Sequence, residues 1–151
     1  MLIGVISDTH GLLRPEALTA LAGVEHILHA GDVGDVGILA ALGLIAPVTA
    51  IRGNIDTEGA CAELPATEMV ELGGKTFYLV HAIADLDISP KAAGVDVVVY
   101  GHSHKASVER RDEVLYLNPG SAGPRRFQLP VTLALVTVSE GAVEARVEQL
   151  L

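Results

Sequence analysis

The first fifty residues alternate between apolar, β-branched runs and short helical patterns, and this alternation restricts the fold more than any other feature of the chain. Three strands are predicted, over Leu2 to Ser7, His26 to Ala30 and Val48 to Ile51. One helix is predicted from Pro15 to a stop at Gly23, and a second over 36–42 with Asp35 as its N-cap. Strands that alternate with helices imply parallel pairing with crossover helices.

Beyond residue 56 the pattern changes and predicts antiparallel strands. Runs over 67–72 and 75–80 flank Gly73-Gly74, which predicts a tight hairpin. Ser89-Pro90 predicts the start of a short helix that ends at Gly94. Further strands are predicted over 95–100, 106–110, 115–117, 131–138 and 142–147. We therefore expect one domain, residues 1–151, with two packed sheets and helices on their outer faces.

Polar side chains that could bind a metal follow five of the predicted strands. These segments are Asp8-Thr9-His10, Gly31-Asp32, Gly53-Asn54, His81 and Gly101-His102-Ser103-His104. At strand spacing, residues two apart share a face, so both rings of the last segment can point into one site. Ligands bind at the carboxyl ends of strands in open α/β sheets, so these groups are expected to converge.

The candidate ligands are carboxylates, an amide and imidazoles, with no sulfur: Asp8, His10, Asp32, Asn54, His81, His102 and His104. A structural zinc ion needs four ligands, so seven suggest two ions, with an aspartate shared between them. Two ions ~3.5–4 Å apart clamp a phosphoryl group and lower the pKa of a bound water to about 7. Each residue alone is equally well explained as a turn former or cap, but that explanation would have to hold at five separate strand ends.

The composition restricts the compartment and the partners. A formal net charge of −9, with three tyrosines, two phenylalanines and no tryptophan, disfavours an extended nucleic acid and favours a small phosphorylated substrate. No apolar run approaches the ~20 residues that span a membrane, and no signal peptide is recognisable, so a cytoplasmic location is expected. Cys61, the only cysteine, excludes an internal disulfide. The apolar composition is compatible with a homodimer.

The order of these motifs resembles that of the calcineurin-like metallophosphoesterases, and the whole length resembles the small single-domain bacterial and archaeal phosphodiesterases of that superfamily. Two further segments match that group, His29-Ala30-Gly31-Asp32 and Asn118-Pro119-Gly120-Ser121. The resemblance implies a four-layer α/β/β/α sandwich with two mixed central sheets and a dinuclear site at their strand ends. By position, one ion would be held by Asp8, His10, Asp32 and His104. The other would be held by Asp32, Asn54, His81 and His102, with Asp32 bridging.

The resemblance also implies an activity, that of a metal-dependent phosphodiesterase hydrolysing a small phosphodiester with a metal-activated hydroxide. Asp32, Asn54 and His81 are assigned catalytic roles as well as metal binding. Mn²⁺ is the expected ion, with Ni²⁺, Fe²⁺, Zn²⁺ and Mg²⁺ as alternatives, because mixed histidine and carboxylate sets do not select one metal. The alternative from a different class is a non-catalytic scaffold, like the retromer subunit of this fold, whose metal site is degraded.

The chain departs from the family pattern at two positions. Many relatives place a histidine directly after the Gly-Asn pair, where it contacts substrate and helps the leaving group depart, but this chain has Ile55. The general acid is therefore not identified. Ala82 stands where glycine is common, and it removes no ligand.

Several other polar residues are expected to support the site or to lie outside it. We expect His29 to be buried behind the ligands, Asp56 to order its own turn, and residues 118–121 to support the metal loops. Three arginines could contact a phosphate, but solvated surface arginines are commoner, so they are left out of the site: Arg52, Arg125 and Arg126.

Overall fold

Ten strands and three short helices make up the computed structural model, which describes all residues, 1–151. The strands are β1 (Leu2–Ile6), β2 (His26–His29), β3 (Val48–Ala50), β4 (Thr67–Leu72), β5 (Lys75–Val80), β6 (Val97–Val99), β7 (Ser107–Arg111), β8 (Val114–Asn118), β9 (Thr132–Ser139) and β10 (Ala142–Gln149). The helices are α1 (Pro15–Ala20), α2 (Val36–Gly43) and α3 (Gly59–Ala62), and a 3₁₀ turn covers Ile83–Asp85. One sheet has the strand order β10-β9-β1-β2-β3 and the other β4-β5-β6-β8-β7.

The first sheet confirms the predicted β-α-β-α-β order. Strands β1, β2 and β3 pair in parallel, and α1 and α2 are the crossover helices. Pro15 opens α1, and the Asp35 side chain caps α2 by accepting a hydrogen bond of 2.9 Å from the Gly37 N–H. Strand β9 pairs antiparallel with β1 and β10, so the chain returns to this sheet at its end.

In the second sheet the antiparallel prediction is right for two pairs and wrong for two. The β4–β5 hairpin forms across Gly73-Gly74, and β7 pairs antiparallel with β8. Strand β6 instead pairs in parallel with both β5 and β8. All three residues of β6 are buried valines, as is typical of a central strand that is covered on both faces. The sheet is therefore mixed.

Two helical segments differ from the sequence prediction. The segment from Ser89 to Gly94 forms turns rather than a helix, closed by bonds from the Ala93 N–H to the Ser89 carbonyl and from the Val95 N–H to the Pro90 carbonyl. The four-residue helix α3, which was not predicted, covers Gly59–Ala62 and buries Cys61.

The apolar core lies in three layers around the sheets. Buried side chains from both sheets, including Phe77 and Leu117, pack between them, and α1 and α2 cover the outer face of the first sheet. On the outer face of the second sheet, Leu86 and Ile88 pack against Tyr78 and Val98. This order agrees with the predicted α/β/β/α sandwich, although a 3₁₀ turn and loop form the last layer. None of the helices has the length and hydropathy needed to cross a membrane.

Candidate metal centre

All seven predicted ligands lie together where β1, β2, β3, β5 and β6 end. Five of them have left-handed backbone conformations: Asp8 (φ 55°), His10 (46°), Asp32 (55°), His102 (73°) and His104 (63°). This conformation is uncommon outside glycine and is concentrated at functional sites. The loops hold one another in place, because the Asp8 N–H donates to the Gly31 carbonyl (3.0 Å) and the His10 N–H to the Asp32 carbonyl (2.9 Å).

Two glycines allow backbone to pack directly on the carboxylates. A Cβ at Gly53 would overlap the Asp32 carboxylate, and one at Gly101 would overlap the Ser7 hydroxyl and the Asp8 carboxylate. The absence of a side chain at these positions lets the loops after β3 and β6 approach the loops after β1 and β2.

The histidines and carboxylates form two groups. In the first ligand group, Nε2 of His10 and Nε2 of His104 lie 3.7 and 3.4 Å from Oδ1 of Asp8. In the second ligand group, made of Asp32, His81 and His102, Nε2 of His81 lies 3.2 Å from Oδ2 of Asp32. Atoms that share one ion at about 2.0–2.2 Å lie roughly 3.0–3.6 Å apart, close to these separations.

Asn54 lies beside the second group, and Asp32 lies between the two groups. Oδ1 of Asn54 is 3.1 Å from Nδ1 of His102. Oδ2 of Asp32 is 3.4 Å from Nε2 of His10 and 3.2 Å from Nε2 of His81, so one oxygen faces a histidine of each group. Oδ1 of Asp8 is farther from the opposite group, at 3.8 Å from His81.

Each carboxylate uses one oxygen for support and turns the other towards the histidines. Oδ2 of Asp8 accepts hydrogen bonds from the Ser7 hydroxyl (2.8 Å) and the His102 N–H (3.1 Å). Oδ1 of Asp32 accepts from the Ile55 N–H (3.1 Å). Second oxygens held in this way fix the orientation of both carboxyl groups.

The remaining polar atoms have no hydrogen-bond partner although they are buried: Oδ1 of Asp8, Nε2 of His10, Nε2 of His81 and both ring nitrogens of His104. Buried polar atoms are almost always paired, and leaving one unpaired costs about 1–3 kcal/mol. Five such atoms in one place need a ligand that none of the side chains supplies. Divalent cations match this donor set, so the residues present fit a metal centre.

Burial and hydrogen bonding set the charges of the two carboxyl groups apart. Burial raises the pKa of Asp8, against the opposing effect of the Ser7 hydroxyl. Burial also acts to raise the pKa of Asp32, but the adjacent His81 ring and the hydrogen bond from the Ile55 N–H outweigh it and lower the pKa to about 2. An ionised Asp8 beside an ionised Asp32 requires a nearby cation, because a buried unpaired charge is costly.

His81 is oriented by the backbone of the first sheet. Its Nδ1 lies 2.7 Å from the Ala30 carbonyl, so the ring donates from Nδ1 and leaves Nε2 free to accept. Burial acts to lower the pKa of His81, but the nearby Asp32 carboxylate and the bond to the Ala30 carbonyl raise it overall.

His29 supports the loop that carries Asp8 and His10, as predicted. It is fully buried, its Nδ1 accepts from the Gly31 N–H (3.1 Å), and its Nε2 lies 3.0 Å from the Thr9 hydroxyl. The Thr9 hydroxyl in turn donates to the Val33 carbonyl (2.9 Å). Burial lowers the pKa of His29 to about 4, so the ring is neutral at pH 7.

The lowered pKa predicts that acid destabilises the metal-free protein through His29. Between pH 6.5 and 4, His29 binds a proton in the unfolded chain but stays neutral in the folded one. The free energy of unfolding therefore falls by about 3 kcal/mol as the pH is lowered across this window. Urea unfolding of the wild type and of His29→Gln should show a difference in stability that shrinks by this amount. A difference that stays constant from pH 7 to 4 would contradict the prediction.

Asp56 does more than order its own turn, which is all that the sequence predicted. Its buried carboxylate accepts from the Gly53 N–H (2.8 Å) and also from the N–H groups of Val33 (3.1 Å) and Gly34 (3.0 Å). It therefore ties the loop that carries Asn54 to the loop that carries Asp32. The position of Asp56, one residue after Ile55, gave no sequence signal of this second role.

The segment from Asn118 to Ser121 supports the metal loops, as predicted. The Asn118 amide donates to the Gly101 carbonyl (3.2 Å) and to the Ser103 hydroxyl (3.1 Å). The Ser121 hydroxyl donates to the Asp8 carbonyl (2.9 Å). These bonds tie the loop that carries His102 and His104, and the loop that carries Asp8, to the segment after β8.

His102 and His104 are expected to serve different ions despite being two residues apart, because they lie in different groups. His104→Ala should weaken the ion near Asp8, and His102→Ala the ion near Asp32. Metal titration should show one weakened site in each variant, and anomalous diffraction should show different ions depleted. If both variants lose the same ion, the partition is wrong.

A cleft of about 720 Å³ opens beside the second ligand group. Asn54, His81 and His102 form its inner wall, and Arg52, Asp85 and Asp87 are among the residues that line the rest. Arg52, which we left outside the site, therefore borders this cleft, although its guanidinium donates to the Leu64 carbonyl (2.7 Å). The volume suits a small ligand rather than a polymer.

These layers and this cluster of ligands define a metallophosphoesterase-like protein, and comparison with known sequences identifies the family. The sequence model of the calcineurin-like phosphoesterase superfamily domain matches residues 1–141. The chain is 34% identical to a probable metallophosphoesterase of Methanothermobacter thermautotrophicus, over 89% of this chain and 85% of the relative. The protein belongs to the calcineurin-like phosphoesterase superfamily.

Solved structures confirm the fold. An archaeal phosphodiesterase superposes with a TM-score of 0.79 at 25% identity, covering 98% of this chain and 100% of that one. The Vps29 of Chaetomium thermophilum superposes with a TM-score of 0.79 at 20% identity, covering 99% of this chain and 95% of that one. The likeness to Vps29 concerns the fold alone.

Proposed function

We propose that the protein is a phosphodiesterase that binds two divalent cations and hydrolyses a small phosphodiester. The observation that carries this proposal is the set of buried, unpartnered nitrogen and oxygen atoms in two adjacent groups. A structural role would not leave five such atoms unpaired. The phosphodiesterase named among the similar structures supports the reaction class.

The proposed ligands of the first ion are Asp8, His10, Asp32 and His104, and those of the second are Asp32, Asn54, His81 and His102. Asp32 is proposed to bridge because its Oδ2 faces His10 and His81 at similar distances. Asn54 is placed with the second ion because it contacts His102. Mn²⁺ is the proposed metal, and other divalent ions are compatible because imidazole and carboxylate ligands together suit several of them.

Two divalent ions, when bound, supply a hydroxide at neutral pH and neutralise charge on the phosphoryl oxygens. The residues of the chain position the reactants. Asn54, His81 and His102 line the cleft, so a phosphodiester that enters it reaches the second ligand group first. Asp32 joins the two groups, and its Oδ1 is fixed by the Ile55 N–H. These contacts support the assignment of Asp32, Asn54 and His81 as catalytic.

The charge of the protein favours a small substrate, and we propose a cytoplasmic location. With a net charge of −9, the chain is poorly suited to follow a nucleic acid backbone, so cations bound in the cleft would provide most of the attraction for phosphate. The single cysteine is free and buried, which is compatible with a reducing compartment.

A scaffold remains the second candidate, because Vps29 structures share the fold. The complete set of ligand residues favours catalysis over this alternative. A scaffold of the same fold would not need the two groups to stay unpartnered and oriented by hydrogen bonds.

Metal content and hydrolysis together test the proposal. Protein stripped with a chelator, reconstituted with Mn²⁺ and desalted should contain two ions per chain and hydrolyse bis(p-nitrophenyl) phosphate. A double variant, His81→Ala with His104→Ala, should lose both properties and remain folded by circular dichroism. Wild-type protein that holds less than one ion and shows no diesterase activity would overturn the proposal and support the scaffold.

A further inference from the structure

The loop Pro124–Gln128 lies beside the first ligand group and carries two arginines and a phenylalanine. The chain enters this loop in contact with the segment that carries Asp8 and His10. The Ala122 N–H donates to the Ser7 carbonyl (3.1 Å), and Gly123 packs so closely on the Thr9 carbonyl that a Cβ would overlap it. The Arg14 guanidinium donates to the Gly123 carbonyl (3.1 Å) and fixes the start of the loop.

Two arginines follow within reach of the site. Arg125 and Arg126 are two and three residues past Gly123, so their Cα atoms lie within about 11 Å of it. Because Gly123 lies against the backbone of Asp8 and Thr9, this reach keeps both arginines near the first ligand group.

These two guanidinium groups are exposed and have no acidic partner. The arginines of the second sheet and of β10 are paired with glutamates: Arg110 with Glu144, Arg111 with Glu109 and Arg146 with Glu148. In a chain with a net charge of −9, two adjacent unpaired arginines next to a metal centre form a local cationic surface. A guanidinium fork matches the oxygens of a phosphate.

Phe127 presents an aromatic ring next to these charges. Its side chain is 84% exposed and its backbone is left-handed (φ 55°), whereas the other phenylalanine, Phe77, is fully buried. An exposed ring offers a stacking face for a base or another aromatic group. The opposite side of the site differs in charge, because Asp85 and Asp87 line the cleft there and disfavour an anionic group.

We propose that the Pro124–Gln128 loop binds the part of the substrate next to the reacting phosphate, and that this part is a nucleoside carrying a second phosphate. Arg125 and Arg126 bind the second phosphate, and Phe127 stacks on the base. This inference rests on the proposed phosphodiesterase function and specifies its substrate class as a short nucleotide diester, with the acidic wall of the cleft orienting it.

Two dinucleotides that differ by one phosphate test the arginines. In the Mn²⁺-loaded protein, the double variant Arg125→Gln with Arg126→Gln should lower kcat/KM for the 5′-phosphorylated dinucleotide pApA by about tenfold to hundredfold. The loss for ApA and for bis(p-nitrophenyl) phosphate should be at least tenfold smaller. Phe127→Ala should lower kcat/KM for pApA and ApA alike by about tenfold, and Phe127→Tyr, which retains the ring, should not.

A matched charge control is available on the second sheet and β10. Arg111→Gln with Arg146→Gln removes the same charge from exposed arginines and should leave the ratio of pApA to ApA turnover unchanged. Equal losses for all three substrates, or the same change of ratio in the control, would overturn the proposed phosphate contact. A loss in Phe127→Tyr equal to that in Phe127→Ala would overturn the proposed stacking.

Binding measurements separate this proposal from the proposed activity. Isothermal titration with adenosine 3′,5′-bisphosphate should show a dissociation constant raised about tenfold or more in the arginine double variant, with a smaller change for adenosine 5′-monophosphate. If the wild type binds two ions but hydrolyses no diester, the proposed function fails while this binding difference still tests the loop. Equal binding of both ligands by wild type and variant would overturn the loop assignment alone.

Discussion

Asp32→Ala is expected to remove both metal ions and all phosphodiesterase activity, the largest effect of any single substitution in the site. Oδ2 of Asp32 faces His10 at 3.4 Å and His81 at 3.2 Å, so its loss takes a ligand from each proposed ion. It also removes the negative charge that screens two cations from each other. The variant, loaded with Mn²⁺ and desalted, should contain less than one ion per chain by mass spectrometry.

Asp35→Ala is the matched control for this experiment. Asp35 lies three residues away, is exposed and caps α2, so its replacement removes the same charge at a cost of about 1 kcal/mol in stability without touching the ligands. This control should keep two ions and full activity. Retention of two ions by Asp32→Ala would show that Asp32 does not bridge.

The elements with a strong local pattern could be predicted from the sequence. The alternation of apolar runs with capped helices predicted β1 to β3 with α1 and α2, and the Gly73-Gly74 pair predicted the β4–β5 hairpin. The parallel pairing of β6 could not be read in the same way. Its three valines fit either direction. The chain places β7 at the edge of the sheet, and β8 then returns between β7 and β6, so that β8 is antiparallel to β7 and parallel to β6.

The candidate ligands could be predicted because their chemistry is carried by residue type at strand ends. The hydrogen bonds that hold the ligand loops in place come mostly from backbone groups, and residue type does not indicate which backbone groups will bond. The three N–H groups bound by Asp56 come from two loops that are separated by about twenty residues, and only the folded chain brings them together. Asp and His adopt the left-handed backbone more readily than most residues, but at Asp8 and His104 the surrounding loops hold it in place.

Hydrolysis by this protein is expected to depend steeply on the acidity of the leaving alcohol, because the position after Gly53-Asn54 carries Ile55, which cannot protonate it. Ile55 stands beside the centre, its N–H bound to Asp32 and its side chain 41% exposed. Asp56 is buried and its oxygens already accept three backbone hydrogen bonds. A general acid contributes about 10²–10⁴-fold, mostly for basic leaving groups. Aryl diesters should therefore react far faster than alkyl diesters.

Ile55→His restores an acid at this position and should raise the rate for alkyl diesters towards that range, while p-nitrophenyl esters gain least. Ile55→Asn is the matched control, since the asparagine amide is polar and close in size to an imidazole but has no proton acidic enough to transfer to the leaving group. A linear plot of log kcat/KM against leaving-group pKa for the three proteins should be steep for wild type and Ile55→Asn and shallower for Ile55→His. A shallow slope in the wild type, with chemistry rate-limiting, would show that an acid is already present. Asp85 and Asp87, which line the cleft, would then be the residues to replace.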